Sequence, residues 1–582
     1  MTAWRQAGAQ PLPGGGTRFA LWAPDAATVR LELADGELLD LRPDGDGWFV
    51  GEHACGDGAA YRFLIDDRLR VADPAARAQA GGVQDASLVL DHAAYRWQVE
   101  NWRGRPWHET VLYELHVGLF DGFAALEAFL PALAELGVTA VELMPLGAFP
   151  GRRNWGYDGV LPFAPASVYG SPDALKHLID RAHGLGLMVF VDVVYNHFGP
   201  QDNYLGHYAG AFFRDDLHTP WGNAIDFRRR EVRDFFIDNA LMWLNDYRVD
   251  GLRLDAVHAI GEKDFLVELA ARVRESVDGR HVHLVLENED NQASLLREGF
   301  DAQWNDDLHN ALHALLTGER EGYYADFAEQ PTRHLARCLG EGFAYQGEPD
   351  RRGQPRGEPS AGLPPTAFVS FLQNHDQVGN RAFGERLISL VRPEPLRICV
   401  ALQLLCPMIP LLFMGEDWGE RRPFLYFTDF HGDLADAVRE GRRAEFREFG
   451  RFADADALQR IADPNAEETF AASRPMSAQG DAGWRAHYRR LLALRHGQIV
   501  PRLPGSRALG AEVLGDGAIS AAWRLGDGSR LRIDFNLGEA AVAVKALPAR
   551  AALVFHEGLD VGQYRAGRLP SGSIAVSMES PQ

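Results

Sequence analysis

The chain has 582 residues, enough for about three domains at ~100–200 residues each, and 46% of them are hydrophobic, as expected for well-cored globular units. Its 59 basic against 81 acidic residues leave a net charge of −22, which argues against nucleic acid or an anionic membrane as a partner. The four cysteines, Cys55, Cys338, Cys399 and Cys406, are scattered with no metal-type pairing, and the N-terminus lacks the basic-then-apolar pattern of a secretory signal, so a reduced cytoplasmic protein is expected.

Residues 1–95 read as a small β-sandwich. TRFALWAP, TVRLEL, GWFVGEH and AYRFLIDD are short runs rich in β-branched and aromatic residues, separated by Gly/Asp turns. From 96 to 497 the texture changes. Apolar strand-like runs (TVLYELHV, VTAVELMPL, LMVFVDVVYNH, VDGLRLDAV, HVHLVLENE, FDAQWND, TAFVSFLQNHD, IPLLFMGED) alternate with amphipathic helical stretches, the one after the fifth strand being short or weak. Eight strand–helix units imply parallel strands joined by crossover helices, hence a (β/α)8 barrel; the alternative is an open doubly wound sheet, which the lack of a Gly-rich fingerprint after the first strand disfavours. Residues 498–582 return to strands and Gly/Asp turns, a second small β domain. The fold class expected is therefore multidomain α/β, a barrel flanked by two β domains. ICVALQLLCPMIPLLFM (398–414) approaches membrane-span length, but Pro407 and Pro410 split it into a buried helix and a buried strand. GEPDRRGQPRGEPSAGLPP (347–365) reads as a mobile loop.

In VDGLRLDAV, Arg253 and Asp255 share one face of a strand whose other residues are apolar. Such a pair is costly to bury unless it is fully paired or used. A barrel builds its active site at the C-terminal ends of its strands, and polar residues collect there: Asp192, Asn196 and His197; Arg253 and Asp255; Glu287; Asp306; Asn374, His375 and Asp376; Glu416 and Asp417.

VDVVYNH, DGLRLDAVH, the glutamate of LVLENED and FLQNHD resemble the four sequence blocks of the α-amylase superfamily (glycoside hydrolase family thirteen), in the same order. HTPWGNAIDF, WNDDLHNALHALLTGEREGYYADF, NHDQVGNR and PFLYFTDF are similar to the malto-oligosyltrehalose trehalohydrolase family within it. ENED at 287–290 departs from the Glu-Ser-Asp of many members, which touches neighbouring subsite contacts and leaves the catalytic glutamate in place.

The resemblance implies retaining cleavage of an α-1,4-glucosidic bond beside a terminal trehalose. Two carboxyl groups about 5–5.5 Å apart would flank the bond. Asp255 matches the nucleophile, Glu287 the acid/base, whose pKa should lie above that of a free glutamate, and Asp376 the third carboxylate. Arg253 would keep Asp255 ionised; His197 and His375 would bind sugar hydroxyls, and Tyr157 would stack on the sugar. Asp192 would brace the strand ends beside the sugar. Asp306, His309, Gln377, Arg381 and Glu416 complete the implied substrate-binding set, while Trp221, Trp304 and Trp418 either stack on glucose or fill loops. No companion oxygen ligands join Asn196, so neither a metal nor a cofactor is expected. A branching enzyme, the nearest enzyme alternative, should carry His-Asp-Glu where this chain has His375-Asp376-Gln377. A non-catalytic glucan-binding protein would be expected to lose one of the three carboxylates. A maltooligosyltrehalose synthase is implied as the pathway partner.

Overall fold

The computed structural model describes residues 6–219, 222–447 and 455–581. At the N-terminal end two antiparallel sheets pack face to face. One is ordered Gly8–Pro11, Thr17–Trp22, Trp48–His53, Arg42–Pro43; the other is built on Val29–Leu33 and Ala60–Ile65. Alternation buries Phe19 and Leu21 from the first sheet, and Phe19 meets Tyr61 of the second edge-on at 4.9 Å between ring centres.

Eight parallel strands then close a barrel: β1 (Leu112–Leu115), β2 (Ala140–Leu143), β3 (Met188–Val193), β4 (Gly251–Leu254), β5 (His283–Leu286), β6 (Ala302–Trp304), β7 (Phe368–Ser370) and β8 (Ile409–Phe413). Closure is made by Leu112 of β1 pairing with Leu411 of β8, which excludes the open sheet. The principal crossover helices are α1 (Leu130–Leu136), α2 (Pro172–Gly184), α3 (Arg230–Leu241), α4 (Lys263–Ser276), α5 (Asp306–Thr317), α6 (Pro331–Glu341) and α7 (Pro393–Leu405), with α8 (Ala482–Leu494) following β8. Only a single turn, Leu295–Arg297, links β5 to β6, as the weak pattern there suggested.

Inward side chains fill the barrel floor. Leu112, Ala140, Met188, Phe190, Val285 and Ile409 form one buried cluster with Trp304 and Phe371, so the barrel is a packed core rather than a pore. Gly251 is required here, because a Cβ would stand 2.1 Å from the Phe190 ring. The split apolar run at 398–414 forms the end of α7 and all of β8, both buried; among the described residues no helix is long and apolar enough to cross a membrane.

The segment at 347–365 differs from its expected mobility. Gly347 N–H donates to Arg356 O, Arg356 N–H to Glu348 O, and the Arg356 guanidinium pairs with fully buried Asp307 at 2.7 Å. Glu358 accepts from Ser294 N–H and Oγ, and Ser360 is buried. Its Gly and Pro residues make turns, but its charges find partners on the barrel.

The C-terminal sheet is five-stranded and antiparallel, in the order Arg507–Gly515, Ala518–Arg524, Arg530–Asn536, Ser573–Glu579, Ala551–Glu557. It packs on α6: a Cβ on Gly340 would stand 2.9 Å from Ala511 N.

Candidate active site

The Arg253 and Asp255 pair, at the C-terminal end of β4, is the centre of the site. Arg253 is 1% exposed and its guanidinium reaches three carboxylates: Nη1 lies 2.7 Å from Asp192 Oδ2 and 2.8 Å from Asp255 Oδ1, and Nη2 lies 2.9 Å from Glu287 Oε2. The planar fork of arginine suits this, because its donors diverge at fixed angles. Underneath, the guanidinium carbon sits 4.2 Å from the centre of the Trp304 ring, a cation–π floor.

Asp255 is held at both oxygens. Oδ1 takes Arg253, and Oδ2 accepts from Asn196 Nδ2 at 2.8 Å. The next residue, Ala256, has φ 41° and ψ 47°, a left-handed conformation that is strained for a residue with a side chain. The strain turns the Ala256 N–H onto Glu287 Oε2 at 2.7 Å. Oε2 thus faces two donors and acts as an acceptor toward both.

Asp376 stands at the cleft mouth, its side chain 44% exposed, on the short helix His375–Gly379 capped by Asn374, whose Oδ1 accepts from Gln377 N–H at 3.0 Å. Desolvation in the cleft and the Glu287 charge raise its pKa. Asp306 begins α5, where Asn305 caps the helix by accepting from Leu308 N–H at 3.2 Å. It accepts from Gln377 Nε2 at 3.0 Å, and burial followed by the Glu287 and Asp376 charges pushes its pKa well above the carboxylate range.

Tyr157 and Asp192 form the opposite wall. The Tyr157 hydroxyl donates to Asp192 Oδ2 at 2.6 Å and meets His375 Nε2 at 2.8 Å, with the two rings stacked at 5.1 Å. Burial pushes Asp192 up to about 7 in spite of Arg253. His197 bonds the Tyr157 carbonyl through Nε2 at 3.0 Å and contacts Asn196 through Nδ1, while burial lowers its pKa to about 4.

The structure therefore gathers Asp255, Glu287, Asp376, Arg253, Asp192, Tyr157, His375, Asp306 and Gln377 around one cleft. Five other expected contacts stand apart. Trp304 needs correcting: at 1% exposure beneath Arg253 it offers no ring face to a sugar. Trp304 is the last residue of β6, inside the barrel, whereas Asp306 lies beyond the strand in the first turn of α5, and that difference separates their roles. His309 is buried, with Nδ1 2.7 Å from Leu372 O, and Arg381 is clamped to Glu319 at 2.8 and 2.9 Å. Glu416 is buried beside Tyr488, whose hydroxyl lies 3.4 Å away, and burial raises it to about 8. Trp418 is also 1% exposed and fills its loop, while Trp221 lies outside the described residues.

Two inward glutamates escaped the sequence reading, Glu114 of β1 and its direct register partner Glu142 of β2. Glu114 accepts the His375 backbone N–H at Oε2, at 2.9 Å, and contacts Nδ1 of the same ring through Oε1. The signal was available: a charged residue on an apolar strand, as at Arg253. Among the described residues no group of three or more His, Cys, Asp or Glu is arranged to hold a metal ion.

Two family models match the chain: an α-amylase catalytic domain over residues 127–211, and a domain of unknown function (DUF3459) over 506–576. The malto-oligosyltrehalose trehalohydrolase of Deinococcus radiodurans is 42% identical, over 84% of this chain and 82% of its own. That of Arthrobacter ramosus is 38% identical over 97% of this chain and 98% of its own. A crystal structure from Salmonella typhimurium, described as a candidate α-amylase, superposes with a TM-score of 0.93 at 44% identity, covering 99% of this chain and 100% of that one. A glycogen-type 1,4-α-glucan branching enzyme of Cutibacterium acnes matches only 46% of this chain, at 33% identity. With its barrel, its strand-end carboxylates and these relatives along nearly its whole length, the chain belongs to the malto-oligosyltrehalose trehalohydrolase family, glycosidases of the α-amylase type.

Proposed function

We propose that the protein hydrolyses the α-1,4-glucosidic bond joining a maltooligosaccharide to a terminal trehalose, releasing trehalose and the shortened maltooligosaccharide. The observation that carries this reading is the single Arg253 fork holding Asp255 and Glu287 together at the ends of β4 and β5. Asp255, ionised and held at both oxygens, attacks the anomeric carbon and forms a covalent glucosyl-enzyme. Glu287 gives its Oε1 proton to the departing trehalose oxygen, then takes a proton from the water that frees the glucan. Asp376, across the cleft, supports the oxocarbenium-like transition state and engages the sugar hydroxyls. Tyr157 and His375 form the apolar and hydrogen-bonding wall of that subsite, and His197 and Asp192 hold its shape.

Gln377 and Asp306 line the side toward the leaving disaccharide. The Gln377 amide, bonded to Asp306 whose pKa burial raises, presents both donors and an acceptor, which suits the hydroxyls of an uncharged sugar. The substrate must be supplied by an enzyme that turns the reducing end of a maltooligosaccharide into trehalose, a maltooligosyltrehalose synthase. The four unpaired cysteines agree with a cytoplasmic setting.

Product analysis tests the reading. Maltotriosyltrehalose should yield trehalose rapidly, while a plain maltooligosaccharide of similar length is cut slowly. Formation of α-1,6-branched or longer glucans without trehalose would assign a branching activity instead.

A further inference from the structure

One chain of hydrogen bonds runs behind the site and ends on a residue that touches no sugar. Asp192 Oδ2 accepts from both Arg253 Nη1, at 2.7 Å, and the Tyr157 hydroxyl, at 2.6 Å. That contact uses the one proton of the Tyr157 hydroxyl. Its oxygen therefore accepts at the 2.8 Å contact with His375, so Nε2 carries a hydrogen. On the other side of the same ring, Nδ1 faces Glu114 Oε1, while Glu114 Oε2 is occupied by the His375 backbone N–H. A proton must lie between Nδ1 and Glu114, since two lone pairs would repel.

We infer that Glu114 is a positioning residue of the reaction proposed above: by sharing a proton with His375 it makes the ring a donor at both nitrogens, which pins the Tyr157 hydroxyl on Asp192 and thereby fixes the Arg253 fork. The residues facing the ring agree. The side chains of His375 and Glu114 are 2% and 1% exposed, so water does not compete for these bonds. Burial alone disfavours a charged imidazole; Glu114 outweighs it, helped by Asp376 and opposed by Arg253, and raises His375 to about 9. His116, also nearby, is lowered to about 4 and adds no charge at neutral pH. Glu142, beside Glu114, is 1% exposed with neither carboxyl oxygen hydrogen-bonded among the described residues; burial and then Glu114 push its pKa far up. Burial thus favours the neutral form of Glu142.

The test compares E114Q, E114A and H375N. In E114Q the amide oxygen takes the backbone N–H and the NH2 donates to Nδ1, leaving a neutral ring that keeps its Nε2 hydrogen. In E114A nothing fixes the tautomer. The wild type should lose kcat as pH rises through about 9. E114A should lose about ten- to a hundred-fold in kcat at pH 7, with a smaller change in KM, as expected when a hydrogen bond to a charged group is lost. E114Q should recover most of that rate and no longer show the alkaline loss. A slowly exchanging downfield proton resonance should be present in the wild type and absent from both H375N and E114Q. Equal slowing of E114Q and E114A with the alkaline loss retained, or persistence of the resonance in E114Q, overturns the inference. If the wild type cleaves no glucan, the proposed function fails, and the resonance still decides where the proton lies.

Discussion

At Asp255 and Glu287 the chemistry depends on which oxygens are already occupied. Each Asp255 oxygen accepts a side-chain donor, and Glu287 Oε2 accepts two, which leaves Glu287 Oε1 for the acid proton of the proposed reaction. Replacing Glu287 by Gln should lower kcat by about 10²–10⁴-fold on a substrate with a poor leaving group. Asp255→Asn should be at least as damaging, since it removes the proposed nucleophile. Steady-state rates of sugar release check both, and full activity in Asp255→Asn would point to a non-catalytic glucan binder. Ala256 carries a different expectation. Glycine tolerates its left-handed conformation, so Ala256→Gly should relieve strain of about 1 kcal/mol, offset in part by the freer unfolded chain. Thermal unfolding should show an unchanged or raised Tm, whereas Ala256→Pro, which lacks the N–H and cannot adopt this φ, should lose activity.

Glu416 makes a pH prediction at the same scale. Its folded pKa of about 8 lies above the ordinary 4.5, so its contribution to stability is full below about 4.5 and is lost as pH rises through 8. Glu416→Gln does not titrate. Its Tm relative to wild type should therefore be higher at pH 9 than at pH 6, measured by calorimetry. A constant difference would mean that burial does not hold this carboxyl neutral.

Among the elements, strand–helix alternation was legible because each barrel strand is a short apolar run bounded by turn residues and each main helix has an apolar stripe. The residues at strand ends were legible for the same reason, as charges breaking apolar runs. What sits beneath them was less so. Trp304 ends an apolar strand, but its contact with Arg253 crosses from β6 to β4 and has no local signal. Glu114 and His375 lie 261 positions apart, and only closure of the barrel shows that they meet. The segment at 347–365 shows the same limit: its Gly and Pro residues announce turns, while the anchoring of Arg356 on Asp307 depends on the fold. Arg356→Ala should leave Asp307 buried with its N–H donors but no counter-charge, costing about 3 kcal/mol. Chemical denaturation measures this, and a change under 0.5 kcal/mol would restore the view of a loosely held loop.

Across the whole molecule, the C-terminal sheet is packed against the barrel rather than tethered to it. α6 approaches it so closely that Gly340 has no room for a side chain, its virtual Cβ meeting the backbone of Gly510 and Ala511. Gly340→Leu should therefore lower the Tm and expose apolar surface without altering the cleft. In the proposed reaction Asp255 attacks the sugar and the configuration at the anomeric carbon is kept. Trehalose has no reducing end, so cleavage of maltotriosyltrehalose creates one new hemiacetal, on maltotriose. The most direct measurement is the proton NMR spectrum of that anomeric centre in the first minutes of reaction, before mutarotation. The α-anomer of maltotriose should appear first together with free trehalose; initial β-anomer would contradict the proposed reaction, because water rather than Asp255 would then have attacked the sugar.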